Sequence, residues 1–161
     1  MIKIRNANIS DLPELKSLFT ESVRRVCCNN YTAIQIQAWL DVALNDQRWL
    51  DMIKNQKVVL AVNDNIILGF GSIDNFNYLD MFFVHAKYQR LGIANLIFNE
   101  IERIARDQSP LALWANVSIT AVPFFKKKGF VIEKEQEINC QGIILNNFKM
   151  SKNMNIELND I

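Results

Sequence analysis

The chain predicts an α/β (α+β) fold: a mixed, mostly antiparallel central sheet of about seven strands with flanking helices. Three observations predict it. Two capping-box signatures, each followed by apolar residues at three- and four-residue spacing, mark helices near the N-terminus. Three β-rich runs separated by Asn/Asp turns follow from Lys57, and from Gly92 onward helix-like and strand-like segments alternate. At 161 residues, half of them hydrophobic, the chain has one domain's length and buries roughly two-thirds of its unfolded surface.

Ile2 to Arg5 alternates as a short strand. Asp11-Leu-Pro-Glu14 then offers an N-cap with a capping-box Glu, and Leu12, Leu15, Leu18, Phe19, Val23 and Val26 form one apolar face. Thr32-Ala-Ile-Gln35 repeats the signature ahead of Ile36, Trp39, Leu40 and Ala43, and Asp46 caps a shorter piece carrying Trp49, Leu50 and Ile53. Val58–Val62, Ile66–Phe70 and Tyr78–Val84 read as a three-stranded meander. Ile93, Leu96, Ile97, Ile101, Ile104 and Ala105 mark a helix that ends near Asp107, stopped by Ser109-Pro110. A strand (Leu111–Ala115), a helix (Ile119–Lys128) closed by Gly129, and two strands (Phe130–Ile138, Ile143–Met150) turned by Gly142 complete the order β-α-α-β-β-β-α-β-α-β-β. Residues 1–152 form one domain, and the polar, Asn-rich residues 153–161 are expected to be a mobile tail.

Charge is nearly balanced, at 18 basic and 17 acidic residues without a dominant block, which argues against nucleic acid as a partner. No segment approaches the ~20 apolar residues that span a bilayer, so no membrane association is expected. Met-Ile-Lys-Ile-Arg runs straight into a strand pattern without an apolar leader, which predicts a cytoplasmic location. Cys27, Cys28 and Cys140 lack metal-ligand spacing, so they read as reduced thiols and no metal is expected.

The most informative stretch is Val84-His-Ala-Lys-Tyr-Gln-Arg-Leu-Gly-Ile-Ala94, where an apolar strand ends in a Gly-containing turn that opens a long helix. The first N–H groups of such a helix lack intrahelical partners, the dipole adds partial positive charge, and Gly92 lets backbone approach a ligand closely. A phosphate suits that site. By itself a glycine at a strand-helix junction is equally a plain tight turn.

With this element order, Gln89-Arg-Leu-Gly-Ile-Ala94 resembles the Gln/Arg-x-x-Gly-x-Gly/Ala signature of the GCN5-related N-acetyltransferase (GNAT) superfamily. A second block, Ser118-Ile-Thr-Ala121-Val-Pro-Phe124-Phe125-Lys-Lys-Lys-Gly129-Phe130, is similar to the superfamily's later motif. The resemblance implies an acyl-CoA acyltransferase fold that uses acetyl-CoA as co-substrate. It places the pyrophosphate on Gln89, Arg90, Leu91, Gly92, Ile93 and Ala94, the pantetheine along the fourth strand at Phe83 and Val84, and further cofactor contacts at Ser118, Ala121, Phe124 and Phe125. A strand N–H aimed at the thioester carbonyl stabilises the tetrahedral oxyanion by roughly 3–4 kcal/mol.

An alkylamine acceptor with a pKa near ~10 must lose a proton before attack. Asp80, a carboxylate in an apolar strand, is the candidate base or amine anchor; by alternation it shares a face with Tyr78 and Phe82. Its other reading is a structural acceptor. The superfamily's usual acid is a Tyr as second member of the aromatic pair, and here that residue is Phe125, which has no proton to give. Tyr78 and Tyr31 are candidates by residue type, and Tyr78 is assigned as catalytic beside Asp80. Tyr31, Trp39 and Trp49 lie in the helices that shape the acceptor pocket in the superfamily; Tyr31 and Trp39 are assigned to the acceptor, although their spacing also suits a core. His85 reads as structural. The expected activity is direct acetyl transfer to an amine on a small molecule or peptide by a monomer or homodimer; the alternative is a non-catalytic acyl-CoA sensor on the same fold.

Overall fold

Seven strands form one sheet in the order β1-β2-β3-β4-β5-β7-β6 in the computed structural model, which describes residues 1–155. In chain order the elements are β1 (Ile2–Asn6), α1 (Leu12–Val26), α2 (Ala33–Ala43), α3 (Asp46–Asn55), β2 (Lys57–Asn63), β3 (Ile66–Asp74), β4 (Tyr78–Val84), α4 (Ile93–Arg106), β5 (Ala112–Ser118), α5 (Val122–Lys127), β6 (Val131–Cys140) and β7 (Ile143–Asn153). Every strand pair is antiparallel except β4–β5, which the α4 crossover joins in parallel. The expected mixed, mostly antiparallel sheet is observed.

Both faces of the sheet are covered. Leu15, Phe19 and Val23 of α1 and Trp49 and Met52 of α3 pack with Leu60, Phe70 and Met81 on one face. Ile93, Ile97, Phe98 and Ile101 of α4 pack with Val59, Ala61, Ile73 and Leu113 on the other. β2 feeds both layers, which is why its apolar residues run without alternation. α4 approaches closely because Gly71 has no side chain: a Cβ there lies 2.6 Å from Ile101 Cδ1 and 3.0 Å from both Ile97 Cγ2 and Phe82 Cδ2.

Several boundaries differ from the sequence reading. Asp11 does not cap α1 with its side chain; Asn8 caps the preceding 3-10 turn, Ile9–Asp11, in a reciprocal box with Asp11. Asp11 is occupied by the Arg5 guanidinium, which donates to both carboxylate oxygens at 2.8 and 2.9 Å, and by the Asn8 N–H at 2.8 Å. Glu14 reaches across instead to accept from Ile67 N at 3.0 Å. Asn45, not Asp46, caps α3, whereas the Thr32/Gln35 box at α2 forms as expected. β7 continues through Ser151–Asn153, and Met154 is buried with its N–H on Leu111 O at 3.0 Å, so the start of the expected tail is ordered structure. The rest of that expectation, 156–161, lies outside the described residues.

The register also breaks inside β4: Met81 pairs with Ser72 and Leu79 with Ile73, leaving Asp80 as a bulge. The Met81 N–H is satisfied by Ser72 Oγ at 3.1 Å. Tyr78 and Asp80 keep a common face, but beyond the bulge Met81 joins the helix α1–α3 layer and Phe82 the α4–α5 layer. The expected shared face of Asp80 and Phe82 is therefore lost.

Two predictions follow from this packing. Gly71→Val overfills the α4 contact and is expected to cost about 1–3 kcal/mol, lowering Tm by several degrees in thermal unfolding. Arg5, and secondarily the Asn8 N–H, hold the Asp11 carboxyl below its ordinary 3.8 against the opposing effect of burial. The stability this gives is present above the unfolded value and lost as pH falls through the folded one. Asp11→Asn is expected to reduce stability at pH 7 by about 1–2 kcal/mol while flattening the acid limb of urea unfolding below about pH 4.

Candidate active site

The β4–β5 pairing is brief. It holds only at Tyr78↔Trp114 and Leu79↔Ala115, whereas β5 stays paired with β7 along its whole length. From Asp80 to Val84 the outer edge of β4 therefore faces a gap. His85 N donates to Leu68 O at 2.8 Å, and in an antiparallel ladder bonding alternates, so Phe83 faces β3. The backbone groups of Phe82 and Val84 point into the gap. Of the strand N–H groups expected near Phe83 and Val84, that of Val84 faces the gap together with Phe82, and that of Phe83 is turned to β3.

At the far end of that edge lies the β4–α4 turn. Arg90 (φ +64°) and Gly92 (φ +80°) both adopt the left-handed region, and a Cβ on Gly92 meets nothing within 4 Å. Gly92 is the N-cap of α4 and supplies no side-chain cap. Leu96 N bonds Gly92 O at 3.2 Å, so Ile93, Ala94 and Asn95 precede the helical ladder with their N–H groups directed out of the helix end. Leu91 is exposed. Gln89 is used within the protein: its Nε2 donates to Val84 O at 2.8 Å and to His85 O at 3.4 Å, pinning the turn to the end of β4. His85 Nδ1 accepts from Lys87 N at 3.1 Å and so caps the turn, and burial followed by the Lys87 charge lowers its pKa.

α5 closes the other side of the gap. Ser118 Oγ caps the turn that leads into α5, accepting from Ala121 N at 3.3 Å. Phe124 stacks on Phe82 with centroids 5.4 Å apart, and Phe125 is buried edge-on to Phe82, Phe124 and Phe130. Phe125 is an apolar floor.

On the α1–α3 face the gap widens into a cleft of about 240 Å³. Its walls are aromatic: Phe19 meets Trp39 and Phe83 edge-on at 6.2 and 4.8 Å, and Tyr31 lies 5.7 Å from Trp39. Trp49 is not part of the wall; it is fully buried, with Nε1 on Ala43 O at 2.9 Å. The Tyr31 hydroxyl donates to Asn146 O at 2.6 Å and accepts from Ile119 N at 3.0 Å, so its ring lines the cleft while its oxygen ties β7 to the α5 entry. Cys140 also borders the cleft, buried, and burial pushes its thiol pKa up.

Asp80 and Tyr78 sit where β4 and β5 part. Arg48 Nη2 donates to Asp80 Oδ1 at 3.0 Å and Gln56 Nε2 to Oδ2 at 2.9 Å, so α3 and its C-cap deliver one donor to each oxygen. Tyr78 Oη accepts from Asn116 Nδ2 at 3.1 Å, and Asn116 Oδ1 accepts from Gln136 Nε2 at 3.0 Å. Burial and then the Asp80 charge raise the Tyr78 pKa above its ordinary 10.0, so the hydroxyl keeps its proton at neutral pH. Arg48, Gln56, Asn116 and Gln136 carried no signal in the sequence beyond the general need of a half-buried carboxylate for donors.

Tyr31→Phe is expected to destabilise the protein by roughly 1–3 kcal/mol, because it leaves the Ile119 N–H and Asn146 C=O without their partner. Chemical denaturation checks this, and a ring that merely lined the cleft through its face would leave stability unchanged.

The Acetyltransferase (GNAT) domain family matches residues 27–152. The uncharacterized N-acetyltransferase YafP of Escherichia coli (strain K12) is 32% identical over 149 residues, which are 92% of this chain and 94% of that protein. A GCN5-related N-acetyltransferase from Rhodopseudomonas palustris superposes with a TM-score of 0.89 at 23% identity, covering 94% of this chain and 95% of its own. The PaiA N-acetyltransferase of Thermoplasma acidophilum, solved in complex with coenzyme A, gives a TM-score of 0.76 at 21% identity, with coverage of 95% and 99%. Matched by the family over residues 27–152 and 32% identical to a curated N-acetyltransferase over 92% of its length, this chain belongs to the GNAT acetyltransferase family.

Proposed function

We propose that the protein is an acetyl-CoA-dependent N-acetyltransferase that moves the acetyl group directly to an amine. The observation that carries this reading is the unpaired edge of β4 from Asp80 to Val84, with the α4 N-terminus beyond one end and the aromatic cleft at Asp80 and Tyr78 at the other. Pyrophosphate suits the outward N–H groups of the Gly92 turn, and a pantetheine amide adds to the β4 edge as a strand would. The coenzyme A complex of the PaiA relative supports the same choice of ligand.

In this reading the amine enters by the aromatic cleft. Carboxylate oxygens together accept about four hydrogen bonds, and Arg48 and Gln56 occupy two, so Asp80 has lone pairs left to orient the amine and take its proton. The amine nitrogen attacks the thioester carbonyl, whose oxygen is met by a β4 N–H. When the C–S bond breaks, Tyr78 supplies the proton that Phe125 lacks, and solvent restores it. Asn116 supports this role, since its amide donates to Tyr78 and leaves the phenolic proton to be given elsewhere.

Gly92→Glu puts a bulky anion in the phosphate site and is expected to weaken acetyl-CoA binding at least tenfold by calorimetry; unchanged binding sinks the site assignment. Tyr78→Phe is expected to lower kcat by about 10²-fold with little change in the KM for acetyl-CoA, measured as thiol release against an amine panel. Phe125 sustains the second reading, an acyl-CoA sensor. Tight acetyl-CoA binding without thiol release across the panel favours it, whereas turnover that drops in Asp80→Asn favours the enzyme.

A further inference from the structure

The cleft does not end at Asp80. Tyr78, Ala115 and Asn116 also line a second, more open groove on the same face, completed by Asn77, Trp114, Gln136 and Lys149, so the two cavities adjoin at the β4–β5 parting across the Tyr78–Asn116 hydrogen bond. Their ionic character is unequal. Among the described residues the only acidic group lining either part is Asp80, and Arg48 already pairs with it. The outer groove presents the Lys149 ammonium, lying 4.8 Å over the Trp114 ring.

Lys149 stands directly opposite Lys134 in the β6–β7 register. Like charges in that position repel. Both are exposed, and among the described residues neither has a carboxylate within ion-pair distance. Lys149 is also in register with Asn116, two strands from β4, which puts it at least about 10 Å from the reacting end because β4 and β5 part beyond Ala115. A flat spacer on Trp114 spans that distance.

Resting on the acetyl-transfer reading, we propose that the acceptor is an amine that also carries an anionic group, a carboxylate above all, seated on Lys149 and Lys134 while the amine reaches Asp80. Lys149 and Lys134 together outweigh the Glu133 carboxylate held nearby on Ser151 Oγ, so the outer end is net positive, which opposes polyamines and other polycations and draws an anion. Lys149 is then a specificity-determining residue. It takes no part in the bond changes.

The test compares thiol release from acetyl-CoA with 4-(2-aminoethyl)benzoate, its carboxamide, spermidine and a short peptide bearing a free N-terminal amine and an Asp side chain. The expected result is a kcat/KM at least tenfold higher for an anionic acceptor than for the carboxamide, and a ratio that collapses at least tenfold in Lys149→Glu. Lys149→Gln, which keeps the length and loses only charge, is expected to give an intermediate ratio with an unchanged melting temperature. A preference shown by the benzoate assigns the anion to a small molecule, and one confined to the peptide assigns it to a peptide side chain. Equal or better turnover of the carboxamide or spermidine, or a ratio untouched by Lys149→Glu, overturns the inference and leaves acetyl transfer standing. Thiol release with none of the amines overturns both.

Discussion

A strand edge inside a domain must do something with its N–H and C=O groups, and β4 is built around that requirement. Its inner edge is paired with β3 on both sides of the Asp80 bulge, but its outer edge is paired with β5 at two positions only. Closing the gap would satisfy the backbone of Phe82 and Val84 and erase the trough. Three features keep it open: β5 is held along its length by β7, the α5 aromatics wedge against Phe82, and Asp80 bulges at the parting. Gln89 covers one exposed acceptor, Val84 O, and in doing so fixes where the α4 N-terminus stands. The unsatisfied edge and the helix end are thus set by one loop.

The bulge decides the chemistry as much as the gap does. Without it, Asp80 and Phe82 would share a face, and the carboxylate would stand among the α5 phenylalanines with no donor in reach. The extra residue keeps Asp80 on the α3 side, where Arg48 and Gln56 meet it, and still lets Phe82 seal the opposite layer. Arg48 Nη1 and Gln56 Oε1 have no protein partner among the described residues, so the second donor of Arg48 stands beside the cleft without an acceptor of the protein's own. Removing Arg48 alone would cost more than the pair contributes, because it leaves a half-buried carboxylate facing aromatic walls.

How much of this was legible in the sequence depended on the range of the interaction that sets each feature. The Thr32/Gln35 box, the bounds of β4 and the start of α4 at Ile93 are fixed by neighbours within a few residues, and periodicity and capping read them correctly. The Asp11 cap was misread because Arg5, on the preceding strand, takes its carboxylate. β5 and β7 run past their apolar cores to Ser118 and Asn153 because each is the other's partner, and pairing carries polar residues that propensity does not. The bulge has no signature at all: it comes from the register of two strands, and a one-residue offset moves every later side chain to the other face.

The same distinction divides the candidate site. Its ligand-holding half is made of backbone: N–H groups at a helix end and along a strand edge, needing only a small residue at Gly92 and a correct turn. Such a site is encoded over a dozen consecutive residues and can be recognised from spacing. Its reacting half is made of side chains at positions 48, 56, 78, 80, 116 and 136, which meet only after α3, β4, β5 and β6 have assembled. No local pattern can encode that meeting. In the proposed reading Phe125, which has no proton to give, bears on the reacting half alone and leaves the backbone half untouched. On that reading the coenzyme cradle and the proton-handling side chains are encoded separately, so the acceptor would be written in the side chains of the cleft, not in the motif that announces the fold.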